Sequence, residues 1–276
     1  MYDVCVSLVN TNEREDIERC LTSLYEDNTN ISFSLQVVIV DNASTDNIAE
    51  LLKQKFPTVQ LLRQEKNMGF GASHNRVLKE VDAKYYFILN PDTIFLPGGR
   101  IIEKMYQWME QNPKVGMIGP KVVYPDGTLQ YSCYRFPTFL QPIYSRTKLG
   151  KSGRGKQIAD HFIMKDFDHE STRAVDWVMG SALFVRAAAL KQSGLFDERY
   201  WMYAEDSDLC RRLWEANWPI YYVHDIVIQH FHRRSSAKVP GILNALLKNK
   251  FARVHLTSWF KYFLKWRGNH KYYAGK

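Results

Sequence analysis

Tyr85-Tyr86-Phe87-Ile88-Leu89-Asn90-Pro91-Asp92-Thr93 is the stretch from which the rest of the chain can be read. Five consecutive apolar or aromatic residues stop at an Asn, a Pro and a carboxylate. A run of that length and composition, closed by those breakers, predicts a buried strand ending in a loop. In an open α/β sheet, ligands gather beyond the carboxyl ends of strands. Asp92 is therefore offered where a substrate or a cation would sit.

Upstream of this strand, apolar runs alternate with helical spacing. Val4–Val9 reads as a first strand ending in Asn10-Thr11-Asn12. Arg14–Tyr25 follows as a helix with Ile17, Cys20, Leu21 and Leu24 on one side. Leu35–Val40 is a second strand closed by Asp41-Asn42-Ala43-Ser44-Thr45-Asp46. A helix over Ile48–Phe56, a short strand over Val59–Arg63, a loop at Asn67–Gly71 and a helix over Ala72–Val81 lead into Tyr85. This alternation predicts an α/β fold, a mostly parallel sheet with helices on both faces. Downstream, helices are expected over Gly98–Gln111, Ala187–Ser193 and Glu205–Asn217, with strands over Val115–Tyr124 and Ile220–Ile228. Between Tyr131 and His169 periodicity is weak, and the Gly- and Lys/Arg-rich run Lys148–Lys156 reads as mobile.

The 276 residues are 45% hydrophobic, enough for a substantial core. The four cysteines, Cys5, Cys20, Cys133 and Cys210, form no CxxC motif, and the chain opens directly on a strand-like run. A reduced, cytoplasmic setting is the expectation. No segment carries about 18 uninterrupted apolar residues, so no membrane span is predicted.

Charge is unevenly placed. From Ile226 onward there are eleven Lys/Arg and no Asp or Glu, while the rest holds 26 basic and 29 acidic residues. The whole excess of +8 thus comes from the tail. Within it, Leu243, Leu247, Phe251, Val254, Trp259, Phe260 and Phe263 alternate with lysines and arginines, a basic amphipathic helix pair. Such a helix either lies in a lipid interface or packs on the domain or a partner subunit.

Several loops carry groups suited to chemistry. Asp41–Asp46 offers donors and acceptors to a base and ribose, although such residues also make ordinary turns. Gly69 and Gly71 would allow close backbone approach to a phosphate. The run Phe196–Asp208 places Glu205, Asp206 and Asp208 at a helix start behind aromatics. Acids favour that end of a helix, and one of them is also positioned as a general base. His230 follows the last strand and is a candidate cation ligand beside Asp92.

Taken in order, these motifs resemble family-two inverting glycosyltransferases of the bacterial rhamnosyltransferase-like branch. The resemblance rests on Val37–Asp46, Asn67-x-Gly69-Phe70-Gly71-x-x-x-Asn75, Leu89–Asp92, Trp177-x-x-Gly180-Ser181 and Phe196-Asp197-Glu198 with Glu205-Asp206-x-Asp208-Leu209, and covers Tyr2–Ser236. It implies a GT-A fold, a Rossmann-like mixed sheet over residues 1–236, with a donor half to about 95 and an acceptor half from 96. Residues 237–276 would form a helical appendage.

The resemblance also implies a nucleotide-sugar donor (dTDP- or UDP-linked), Mn²⁺ or Mg²⁺, and a glycan or lipid-linked acceptor. By position, Asp41 would bind the base, with Asn10, Asn12, Asn42 and Ser44 near the nucleoside. Gly69, Phe70, Gly71, Asn75 and Asn90 would line the donor site, and Arg233 and Arg234 would hold the pyrophosphate. Asp92 takes the place of the last acid of the family's DxD motif, with Asn90 at the first. His230, with His232 as rival, would complete the metal site. Asp206 would be the catalytic base, and Trp177, Gly180, Tyr203, Glu205 and Asp208 would face the acceptor. Relatives end the first strand in Thr-Tyr-Asn where this chain has Asn10-Thr11-Asn12, which leaves base stacking, and so the nucleotide, open.

The expected setting is peripheral, on the inner face of the plasma membrane, with an anionic surface or a second copy of the chain as further partners and no nucleic acid. Two rivals fit less well. A nucleotidyltransferase would carry a Gly-rich basic signature near Val4–Arg14, which is missing. A non-enzymatic basic binding module leaves Asn90–Asp92 and Glu205-Asp206 without a role.

Overall fold

The computed structural model describes residues 1–141, 144, 148–231, 249–269 and 271–274. Strands β1 (Tyr2–Asn10), β2 (Leu35–Asp41), β3 (Gln60–Arg63) and β4 (Ala83–Leu89) pair in parallel, in the order β3-β2-β1-β4. Helices α1 (Arg14–Asp27), α2 (Ile48–Lys55) and α3 (Phe70–Glu80) connect them. β1, β2 and β4 are apolar on both sides because helices cover both faces, while the edge strand β3 buries only Leu62. Val4, Val6 and Leu8 of β1 pack with Ile17 and Leu21 of α1, while Cys5 and Val9 face the side of Val77 and Leu78 of α3. This half follows the sequence expectation to within a few residues at each element end.

The second half adds mixed pairing. Its elements are β5 (Thr93–Phe95), α4 (Ile101–Gln111), β6 (Met117–Val123), β7 (Leu129–Gln130), β8 (Cys133–Tyr134), α5 (Gly153–Phe162), β9 (Arg173–Ala174) and β10 (Trp177–Val178). They continue with β11 (Ala182–Arg186), α6 (Ala187–Ser193), α7 (Glu205–Glu215) and β12 (Ile220–His230). Beyond β4 the sheet runs β11-β6-β12-β5, with β11 and β5 antiparallel to their neighbours. β12 therefore points the same way as β1, β2 and β4, and Asn10, Asp41, Asn90 and His230 close their strands at one edge of the sheet.

One proline shapes that edge. Pro120 lies inside β6 and has no N–H to donate to a ladder. β12 pairs Val223 with Pro120 and then Val227 with Lys121, so residues 224–226 bulge out opposite it. The restored register carries His230 to Thr93 of β5, two residues from Asn90-Pro91.

Two expectations need correction. The basic run at Lys148–Lys156 is not loose throughout: its second part opens α5, whose Phe162 packs against Tyr134 at 5.1 Å and Trp177 at 5.8 Å. Three residues, Thr93–Phe95, form a strand where a loop was expected; they are too short to show a period, and only the partner β12 defines them.

The C-terminal helix α8 (Lys250–Lys265) packs on the second half of the domain. Lys265 meets Asp197 and Asp208 at 2.8 Å and 2.7 Å, Trp266 donates its indole N–H to Asp208, and Ser258 donates to the Met202 carbonyl. Beyond the helix, the backbone N–H groups of Tyr273 and Ala274 donate to buried Asp176. Leu243, Leu247 and Lys248 of the expected helix pair lie outside the described residues. Asp208 is fully buried and also takes Arg212 at 2.9 Å. Asp208→Ala leaves Arg212 without its carboxylate and Lys265 with Asp197 alone, and should cost about 3–5 kcal/mol. A melting temperature lower by on the order of 10 °C is the expected reading in calorimetry; an unchanged melting curve would refute this anchoring role.

Candidate active site

At the sheet edge, the β4 strand delivers Asn90 and Asp92 and the β12 strand delivers His230. His230 Nε2 lies 3.0 Å from Asp92 Oδ1 and 3.4 Å from Asn90 Nδ2. Behind the ring, Gln130 Oε1 sits 2.6 Å from His230 Nδ1, and the Gln130 amide nitrogen donates to the His230 carbonyl at 3.5 Å. That orientation makes Oε1 the acceptor of an Nδ1 proton and leaves the Nε2 lone pair facing Asp92. A lone pair and a carboxylate oxygen at 3.0 Å repel unless a cation or proton stands between them. One carboxylate oxygen and one imidazole nitrogen, backed by an orienting amide, fit a divalent cation that keeps other positions for a substrate's phosphate oxygens. Among the described residues no third His, Cys, Asp or Glu joins them.

The second centre is the start of α7. Tyr203 and Ala204 both adopt left-handed backbone, with φ of 68° and 69°. Two such non-glycine residues in succession hold strain of the kind that accumulates at functional sites. They turn the chain so that Glu205 and Asp206 open the helix side by side. Asp206 Oδ2 accepts from the Gly180 N–H at 2.9 Å and Oδ1 from the Ser207 N–H at 2.7 Å. The Trp177 indole nitrogen, buried without a completed hydrogen bond, lies near enough to help hold the charge on Asp206. A Cβ on Gly180 would sit 3.2 Å from Asp206 Oδ2, so this close approach favours glycine. Trp177 is itself stacked on Tyr134 at 4.4 Å, which makes an aromatic wall beside the carboxylate.

Burial raises the Asp206 carboxyl above its ordinary value, but the converging N–H donors pull it back. Burial raises Glu205 much further, the Asp206 charge adds to the rise, and Glu205 Oε2 has no partner. The two acids are pushed apart, with Glu205 the more strongly biased toward its neutral form. That division is the arrangement expected of a base beside a neutral donor.

Gly180 holds Asp206, and the next residue, Ser181, accepts the Asn90 N–H at 2.9 Å. The loop between β10 and β11 thus links the Asp92 turn to Asp206.

Other expected site residues are placed differently. Asn75 is buried with both ends of its amide bonded to the backbone of Phe196, and Glu198 is a further partner. It is a latch between α3 and the aromatic loop, not a donor contact. Asp208, expected to face the acceptor, is fully buried and is bound by Lys265, Trp266 and Arg212. The Gly69–Gly71 loop is no open phosphate cradle. The Met68 and Gly69 N–H groups donate to Asn42 and Asn67 side chains, and the Phe70 N–H to the Trp201 carbonyl. Gly69, at φ 85°, lets Trp201 approach where any Cβ would collide, and Gly71 admits the Phe196 side chain. Phe70 packs edge-on against His74 and Phe196.

In the nucleoside loop, Asn10 is buried and spends its amide on Ser44, Asp46 and the Glu13 N–H; Asn42 binds Asn67 and Met68. Both are scaffold. Asp41 uses Oδ1 to hold the Ser44 N–H, and Asn12 stands exposed at the rim. Tyr203 packs against His255 of α8 at 4.7 Å. His232, Arg233 and Arg234 lie outside the described residues. Sequence reasoning missed Gln130. A glutamine in a two-residue strand carries no local signal, and its role exists only because β12 passes it.

Comparison with known proteins agrees with this geometry. Residues 5–168 match the model of Glycosyl transferase family 2, and residues 87–268 that of Glycosyl transferase family group 2. An N-acetylglucosaminyl-diphospho-decaprenol L-rhamnosyltransferase of Mycobacterium tuberculosis is 30% identical over 226 residues, 75% of this chain and 70% of its own. Rhamnosyltransferase WbbL of Escherichia coli K12 is 36% identical over 100 residues, 35% of this chain and 34% of its own. Among solved structures, GalNAc-T7 with UDP, GalNAc and Mn²⁺ superimposes with a TM-score of 0.65 at 14% identity, over 95% of this chain and half of that one. The chain belongs to glycosyl transferase family 2 and is a glycosyltransferase with the GT-A fold.

Proposed function

We propose that the protein transfers a sugar with inversion, metal-dependently, from a nucleotide-sugar, dTDP-L-rhamnose before UDP-hexose or UDP-galactofuranose, to a glycan or lipid-linked acceptor of cell-surface polysaccharide. The observation that carries this reading is the Asp206 carboxylate, held by the Gly180 and Ser207 N–H groups and linked through one loop to the turn that bears Asp92 beside His230. The acceptor hydroxyl gives its proton to Asp206 as its oxygen attacks the anomeric carbon. The bond from that carbon to the diphosphate breaks, and the nucleoside diphosphate leaves with the electron pair. One displacement inverts the centre.

Asp92 and His230 would hold the cation, which when bound neutralises the charge gathering on the departing diphosphate. Asp41 and Asn12, at the ends of β2 and β1, would meet the nucleoside. Trp177 would set the acceptor ring against Asp206. Rhamnose ranks first because two relatives are named rhamnosyltransferases. A lipid-linked acceptor is favoured by the decaprenol-linked substrate in one of those names and by the basic tail, which suits the inner, anionic face of a membrane. Among the described residues no helix is long and apolar enough to cross one.

The test is a donor-hydrolysis panel with Mn²⁺, Mg²⁺ or chelator, followed by thermal shift with dTDP and UDP. Metal-dependent release of dTDP from dTDP-L-rhamnose is expected. Turnover of a UDP-sugar instead would overturn the donor, and turnover in chelator would overturn the metal.

A further inference from the structure

On helix α8 two lysines are tied to the domain, while the large apolar side chains of Phe260 and Leu264 face out. Lys261 donates to the Arg199 carbonyl and Lys265 is bound by Asp197 and Asp208, so both serve to dock the helix. The outer stripe runs Arg253, Thr257, Phe260, Leu264 and then Arg267, a spacing of three and four that keeps one face. Leu264 is 70% exposed and Phe260 47%. Next to them, Phe139 and Leu140 are 48% and 47% exposed, and the Phe139 ring touches Trp259 at 4.8 Å and Phe263 at 5.4 Å. Between this segment and the helix opens a cavity of about 560 Å³, walled by Phe136, Phe139, Phe260, Phe263 and Leu264, with Arg211 packed under the Phe136 ring at its floor. That volume lies within the range of sites that seat a hydrophobic ligand.

We propose that this face is a membrane-docking surface, in which Phe139, Leu140, Phe260 and Leu264 enter the outer hydrocarbon of an anionic bilayer and the adjoining cavity admits a lipid chain. The occupant follows from charge as well as from apolarity. Arginines stand at both ends of the apolar stripe, where a long basic side chain reaches lipid phosphate while its stem stays with the chains. No Asp or Glu occurs from Ile226 to the C-terminus to repel that surface. A protein partner would need acidic complements to both arginines around an apolar centre; an anionic bilayer supplies them everywhere.

The docked helix also abuts the acceptor side of the site, through Tyr203 and the Met202 carbonyl just before Glu205-Asp206. Docking here would present the acceptor pocket to a lipid-borne substrate. The inference deepens the membrane-side reading above and rests on it.

The test is flotation of the full chain with phosphatidylglycerol–phosphatidylcholine vesicles against phosphatidylcholine alone. The wild type should float with the anionic vesicles, less so in high salt. Phe260→Glu with Leu264→Glu should lower partitioning by on the order of 10²-fold, since two large side chains no longer enter hydrocarbon. Arg267→Gln should remove part of the salt-sensitive binding. Both variants should melt like wild type and keep donor hydrolysis. Unchanged flotation of the double variant overturns the proposal. So does a wild-type dimer in sedimentation that the double variant converts to monomer, because the face would then join two copies of the chain. Loss of donor turnover with flotation intact would sink the proposed reaction and leave this surface standing.

Discussion

Asp206→Asn lowers sugar transfer by on the order of 10²–10⁴-fold while donor binding stays nearly unchanged. Asn keeps the shape, and its carbonyl still accepts the Gly180 N–H that now holds Oδ2 at 2.9 Å. What it cannot do is take a proton. The raised pKa of Asp206 sets the form of the pH profile. Only the carboxylate acts as base, so activity in the wild type falls as pH drops through that raised value, and the residual rate of the Asn variant lacks this acid limb. Isothermal titration with dTDP alongside initial rates separates the roles: if Asp206→Asn loses nucleotide affinity as much as rate, Asp206 is a ligand and not the base. Glu205 is a poor substitute for it, because burial and its neighbour's charge bias it toward the neutral form.

Asp92→Ala abolishes the metal dependence of nucleotide binding. The variant removes the one carboxylate at the His230 Nε2 face, 3.0 Å away, and a lone imidazole is a poor site for a hard or borderline cation. In thermal shift, wild type with dTDP should gain stability on adding Mn²⁺, and Asp92→Ala should gain none. Gln130→Ala should retain the response but need roughly 10–100-fold more metal, since its Oε1 fixes the His230 tautomer from behind. An undiminished Mn²⁺ response in Asp92→Ala would remove this residue from the site and the cation from the mechanism proposed.

Much of this molecule is legible along the chain. β1, β2 and β4 are dense apolar runs closed by Asn or Asp, and a buried parallel strand has few other ways to look. The acids at Glu205 and Asp206 are legible too, because three carboxylates in four positions exceed what a helix start requires. Legibility fails where identity and role separate. Asn75 and Asp208 stand within the same motifs as the candidate site residues, yet their side chains turn inward to Phe196 and to Lys265. Gly69 and Gly71 carry the spacing of a phosphate loop but serve the approach of Trp201 and Phe196, more than a hundred residues later. The basic helix α8 was readable as amphipathic, but which face pairs with the domain depended on Asp197 and Asp208.

By itself the sequence determined the strand–helix alternation, the loops that would carry chemistry and the acids at two distant points, because burial and turn formation act on neighbouring residues. Only the tertiary structure decided that Asp92 meets His230, that Gln130 stands behind it and that burial weighs more heavily on Glu205 than on Asp206. Those facts depend on a bulge opposite Pro120, a three-residue strand and the dielectric around a pair of carboxyls. Each is a relation between segments far apart in the chain, set by register and packing, and no local pattern encodes it.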